Sequence, residues 1–138
     1  LEKIKIVIAE DDRDEREFIL RGFNKSGLFE ILDLVRDGHE LLECLQKRIA
    51  DKVPDLILSD VNMPLKNGYE ALAEIKASEA LRHIPYLMFS TSNSKNSIDT
   101  CMQLGAEGYL CKPPSFLDYE CFARDLYKKL QELRNGSE

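Results

Sequence analysis

Five short apolar runs, at 4–9, 29–35, 56–58, 86–89 and 108–111, alternate along this chain with longer amphipathic stretches. That alternation restricts the fold more than any single motif. Leu56-Ile57-Leu58 follows Pro54 and is too short and too uniformly apolar for a surface element, so it reads as a fully buried central strand. The stretches between the runs have helical periodicity. Phe18, Ile19 and Phe23 form a stripe that ends at Ser26-Gly27, and Leu41, Leu42, Leu45 and Ile49 recur at helical spacing over 39–51 after the Asp37-Gly38 turn. Ala71, Leu72 and Ile75 share one side of a third helix, a fourth covers about 97–104 before Gly105, and Ser90 to Asn96 reads as a polar loop. Ser115 to Asp118 reads as a capping box for a last helix carrying Phe122, Leu126, Leu130 and Leu133, which runs to about 134 and leaves a short polar tail. Five strand-helix units in sequence imply a parallel sheet with helices on both faces, because parallel neighbours need crossovers.

A chain of 138 residues is expected to make one domain with a core of its own and no room for a second. Its 19 basic and 25 acidic side chains give a net charge of −6, which argues against direct nucleic-acid binding or a grip on anionic lipid. The start, LEKIKIVIAEDD, lacks a signal-peptide pattern, and no run approaches the roughly 18 apolar residues of a membrane span, so a soluble, cytoplasmic protein is expected. Cys44, Cys101, Cys111 and Cys121 have no metal-ligand spacing and read as reduced, mostly buried thiols; His39 and His83 are isolated.

A parallel sheet gathers its chemistry at the carboxyl ends of its strands. Glu10-Asp11-Asp12 stands at the end of the first run, where Asp12 could equally be a helix N-cap beside two solvated neighbours. Asp60 ends the most apolar strand, and with strand three beside strand one the acids converge. Convergent carboxylates repel unless a cation sits between them, and an oxygen-only donor set favours Mg²⁺, with Mn²⁺ as the alternative. Ser90 ends strand four. Lys112 ends strand five against Pro113-Pro114, where it is either a surface lysine or an ammonium held over the same edge. No GxGxxG or GxxxxGK[ST] loop is present, which disfavours a bound nucleotide. Carboxylates, a metal and a lysine suit phosphoryl transfer, with Asp60 as the nucleophile.

The segments IVIAEDD, LILSDVNMPLKNG, LMFSTS and GYLCKPP together resemble the response regulator receiver domain of two-component signalling, of the stand-alone type, over essentially the whole chain. The resemblance implies a (βα)5, flavodoxin-like fold with strand order 2-1-3-4-5. It makes Asp60 the phosphoacceptor, and it implies metal binding by Asp11 and Asp60, by the Asn62 backbone carbonyl and, through water, by Glu10. It implies that Lys112 and the Thr91 amide contact the phosphoryl group, that Ser90 is the switch hydroxyl, and that Tyr109 is the aromatic that moves on activation. Ser90 replaces the family's commoner threonine, Thr91 is bulkier than the usual alanine or glycine, and Asn62 and Ser92 stand where the family adjusts the access of water. The implied partners are a histidine kinase or histidine phosphotransfer protein and a downstream protein target.

Such a protein catalyses its own phosphorylation and dephosphorylation but acts primarily as a signal. With no output domain expected, its signal would pass by contact or by relay. The fourth helix, fifth strand and fifth helix would form the responsive face and a surface for a homodimer. Lys128, Lys129, Glu132 and Arg134 read as a solvated face, and Phe116, Phe122 and Tyr127 as packing residues. Two rivals are a degenerate receiver that binds without phosphorylation, disfavoured by the complete residue set, and a flavin carrier, whose phosphate the acids would repel.

Overall fold

The computed structural model describes residues 2–136. The chain runs β1 (Ile4–Ala9), α1 (Arg13–Ser26), β2 (Phe29–Val35), α2 (Gly38–Arg48), β3 (Leu56–Asp60), α3 (Gly68–Ala77), β4 (Tyr86–Ser90), α4 (Lys95–Gln103), β5 (Gly108–Cys111), a 3₁₀ turn at Phe116–Asp118 and α5 (Tyr119–Gly136). All strand pairs are parallel, in the order β2-β1-β3-β4-β5. This is the expected (βα)5 arrangement.

The period of two along each strand divides the core into two layers. Val7, Ala9, Ile57, Tyr86 and Met88 face one way and meet Leu41 and Leu45 of α2, Ala71, Leu72 and Ile75 of α3 and Cys101 of α4. Ile4, Ile6, Ile8, Leu56, Leu58, Leu87 and Phe89 face the other way, against Ile19 and Phe23 of α1 and Ala123, Leu126 and Leu130 of α5. Each fully buried aliphatic or aromatic side chain contributes about 1.5–3 kcal/mol. β1, β3 and β4 lie in the middle of the sheet, so their runs are apolar on both faces, and their ends are fixed relative to one another by ladders on either side.

The helix starts are set by short polar side chains. Asp12, Asp37 and Ser94 accept from the backbone N–H of Glu15, Glu40 and Ser97, and so cap α1, α2 and α4. Gly27 ends α1 with a left-handed φ of 72°, a conformation that suits glycine.

Several boundaries differ from the sequence reading. β3 continues through Ser59 and Asp60, because those polar residues pair with Met88 and Phe89 of β4. α2 stops at Arg48, whose guanidinium turns back to Asp33 and the Leu32 carbonyl, and α4 begins at Lys95. Ser115 opens a 3₁₀ turn by accepting from the Leu117 N–H, not a capping box, while a reciprocal box forms at Asn67 and Glu70 at the start of α3. α5 extends past 134 through Asn135 and Gly136, and the rest of the expected tail lies outside the described residues.

The cysteines are free, but only Cys101 is buried. Cys44 is half-buried, and Cys111 and Cys121 are exposed, the first ending the edge strand and the second on the outer side of α5. Phe122 packs against Phe23, Phe89 and Tyr119, and Tyr127 against Phe29, whereas Phe116 meets Phe18 at the surface. Among the described residues, no helix is long and apolar enough to cross a membrane.

Candidate functional site

The ends of β1, β3, β4 and β5 bring Glu10, Asp60, Ser90 and Lys112 to one edge of the sheet. The first three are almost wholly enclosed. Carboxylate oxygens of Glu10, Asp11 and Asp60 lie within 4.8 Å of one another. The acidic triplet therefore divides: Glu10 and Asp11 face the site, and Asp12 caps α1, with its Oδ1 2.8 Å from the Glu15 nitrogen. Arg16 holds this loop down by donating one guanidinium nitrogen to the carbonyls of Glu10, at 3.0 Å, and Asp11, at 2.9 Å.

Lys112 lies inside the site, so the surface-lysine alternative falls away. Its Nζ is 2.7 Å from Glu10 Oε1, 3.2 Å from Asp60 Oδ2 and 3.3 Å from Glu15 Oε1. It also sits over the Phe89 ring, 5.1 Å from the centroid. Asp60 Oδ1 accepts from the Val61 N–H at 2.8 Å, so both oxygens of this carboxylate are held.

One ammonium serves three carboxylates, and the electrostatics follow from that shortage. Burial, then the neighbouring Asp60 charge, push the Glu10 carboxyl up to about 8, against the hydrogen bond from Lys112. Burial also raises Asp60 despite Lys112. Burial alone would lower the Lys112 ammonium, but its hydrogen bond to Glu10 and the charges of Glu10, Asp60 and Glu15 outweigh that and hold its pKa above the usual lysine value. A further cation would relieve the shortage. Three clustered oxygen donors without a Cys or His fit a hard divalent ion. A depression of about 470 Å³, lined by Asp11, Asn62, Met63, Pro64 and Asn67, opens beside them. A wider groove of about 580 Å³ lies at the opposite end of the strands, by Pro54 and Pro85, away from this chemistry.

Ser90 and Tyr109 belong to one hydrogen-bonded chain. Ser90 Oγ accepts from the Ser92 N–H at 3.2 Å, and the Tyr109 hydroxyl donates to the Ser92 carbonyl. Thr91, Ser92 and Asn62 are exposed.

Glu15 and Tyr119 were not picked out by the sequence reading. Glu15 contacts Lys112 with one oxygen and accepts the Tyr119 hydroxyl with the other. Burial, then this bond to Glu15, raises the Tyr119 phenol. The signal was present: Glu15 stands one turn before Ile19 on the buried side of α1, so an acid interrupts an apolar stripe.

Residues 6–118 match the family profile described as the response regulator receiver domain. The chain belongs to the response regulator receiver family. A probable methanogenesis regulatory protein, FilR2, of Methanothrix harundinacea is 32% identical over 115 residues, which cover 82% of this chain and 74% of that one. The crystal structure of the phosphorylated cyanobacterial phytochrome response regulator RcpA aligns with a TM-score of 0.77 at 30% identity, over 99% of this chain and 97% of that one. The Mn²⁺-bound form of response regulator Rcp1 aligns with a TM-score of 0.73 at 26% identity, over 89% and 91%. The receiver is therefore a two-component signalling protein, and its acidic cluster is a divalent-metal site of the kind that serves aspartyl phosphorylation in this family.

Proposed function

We propose that this receiver is a switch whose phosphoryl group is carried on Asp60. The observation that carries the reading is the meeting of Asp60 with both an acidic, oxygen-only cluster and the Lys112 ammonium at one buried edge. Mg²⁺ would be held by Asp11, Asp60 and the Asn62 carbonyl, and by Glu10 through water; when bound, it neutralises negative charge on the phosphoryl oxygens. Asp60 attacks the phosphorus of a phosphohistidine on a histidine kinase or phosphotransfer protein, forming an O–P bond as the P–N bond breaks. Lys112 turns its ammonium to a phosphoryl oxygen, and the Ser90 hydroxyl and Thr91 amide gather the others. Water later hydrolyses the acyl phosphate.

Output passes by protein contact or relay. Ser90 moving toward the phosphoryl group draws on Ser92 and Tyr109, which biases the face formed by α4, β5 and α5 and a homodimer through it. The whole of 1–138 serves as one receiver domain in the cytoplasm.

Incubation with Mg²⁺ and acetyl phosphate, followed by intact-mass measurement, tests the reading. The wild type should gain one hydroxylamine-labile phosphoryl group and Asp60→Asn none. Mg²⁺ binding without any gain would overturn the reading and favour a receiver that acts as a binding module without phosphorylation.

A further inference from the structure

The proposed transfer requires Lys112 at the phosphoryl group, yet the same ammonium also serves Glu15, which has no part in that step. Glu15 is only 6% exposed and Tyr119 is fully enclosed. A carboxylate in such a place is costly unless its oxygens are engaged, and here Lys112 engages one and the Tyr119 hydroxyl the other. Glu15 also stands outside the Glu10, Asp11 and Asp60 cluster. A cation in that cluster would ease the demand of Glu10 and Asp60 for Lys112, and Glu15 would still depend on Lys112 and Tyr119.

We propose that Glu15 is a positioning residue that competes with the phosphoryl group for Lys112, and that the Tyr119 hydroxyl sets how strongly it competes. The proposal rests on the phosphoacceptor reading of Asp60. With its hydrogen bond from Tyr119, the Glu15 charge is partly satisfied and releases Lys112 readily. Without that bond, Lys112 is its remaining partner. Phosphorylation adds negative charge on the Asp60 side, Lys112 follows it, and Glu15 falls back on Tyr119. Because Tyr119 begins α5, the phosphoryl state reaches that helix by a route separate from Ser90, Ser92 and Tyr109.

The two substitutions have opposite expected signs, which a merely structural role does not produce. With the full chain and saturating Mg²⁺, the rate of acyl-phosphate formation is followed against acetyl phosphate concentration. Glu15→Gln keeps the shape, removes the charge and should raise the maximal rate about fivefold, within the range over which contacting residues couple. Glu15→Met should move the rate in the same direction, and Tyr119→Phe should lower it by about as much. The double variant Glu15→Gln/Tyr119→Phe should behave as Glu15→Gln alone. Independently of rate, the ¹³C resonance of the Tyr119 ring should move on phosphorylation of the wild type and stay still in Glu15→Gln. Circular dichroism confirms that each variant is folded. Phosphorylation in which the single variants shift the rate in the same direction, or add independently in the double, overturns this proposal alone. A wild type that takes no phosphoryl group overturns the Asp60 reading and this proposal with it.

Discussion

Lys112 Nζ and Glu10 Oε1 meet at 2.7 Å across 102 residues of chain. Their strands, β5 and β1, are not neighbours in the sheet; β3 and β4 lie between them. The contact is made by charge reaching over the strand ends, and the β4–β5 ladder beneath it, continued by the Lys112 N–H bond to the Ser90 carbonyl at 2.9 Å, fixes where the lysine starts. Lys112→Met leaves Glu10, Glu15 and Asp60 enclosed without their ammonium. In chelator, urea unfolding should show a loss of about 3 kcal/mol, the scale for breaking a buried pair from one side. Added Mg²⁺ should restore part of it by binding the folded form alone.

The metal-free protein should weaken with rising pH through Glu10. Its carboxyl is raised from an ordinary 4.5 to about 8 by burial and by Asp60, so the folded state holds this proton more tightly than the unfolded chain does. That contribution is full below about pH 4.5 and is lost as pH climbs through about 8; the raised Asp60 acts with the same sign. Glu40, lowered by Arg36, has the opposite sign, but its effect appears only as pH falls through the carboxylate range. Melting in chelator between about pH 5 and about pH 8 should therefore show a larger loss for the wild type than for Glu10→Gln. Equal losses would place the titration elsewhere.

The fold was legible where the pattern had one interpretation. A run as short as Leu56-Ile57-Leu58, apolar on both faces and preceded by Pro54, fits a central strand better than a surface element, and the helical stripes of α2 and α3 announced the face they bury. Boundaries were harder, because Ser59 and Asp60 look like loop residues until the ladder to β4 holds them in the sheet. Glu10, Asp11, Asp60, Ser90 and Lys112 could be named because strand ends must converge. Their charge balance could not, since it depends on Glu15 reaching Lys112 from the first turn of α1, a contact between residues 97 apart. Cys111 and Cys121 show the same limit: a thiol's burial depends on which side of an edge strand or helix it occupies.

Gly68 sits where α3 begins against the end of β3. A Cβ there would lie 2.3 Å from the Asp60 carbonyl oxygen and 3.1 Å from the Val61 Cα, both backbone atoms. Gly68→Ala must therefore displace the segment that carries Asp60. It should cost about 2 kcal/mol by overpacking and reduce phosphoryl uptake in the same sample. Gly27→Ala is the control. A Cβ there meets nothing within 4 Å, but φ is +72°, so about 1 kcal/mol should be lost with uptake unchanged. Equal uptake in the two variants would separate Gly68 from the placement of Asp60.

Tyr109 holds the loop after β4 through a single atom. Its hydroxyl donates to the Ser92 carbonyl, and the Ser92 N–H donates to Ser90 Oγ at 3.2 Å, so a phenol on β5 and a hydroxyl at the end of β4 grip the same residue from opposite sides. Ser92 is exposed, so its carbonyl can turn to water when the phenol is lost, and Tyr109→Phe should cost only about 0.5–1 kcal/mol. The larger effect should be local. Amide exchange at residues 91–94 should quicken several-fold in Tyr109→Phe, while exchange in β4 itself, protected by ladders on both sides, stays as it was. Ser90→Ala should release the same amides, and the double variant should add little, because removing either partner already frees Ser92. Unchanged exchange at 91–94 in both single variants would mean that the loop is held by its own turn and that Tyr109 has no grip on it.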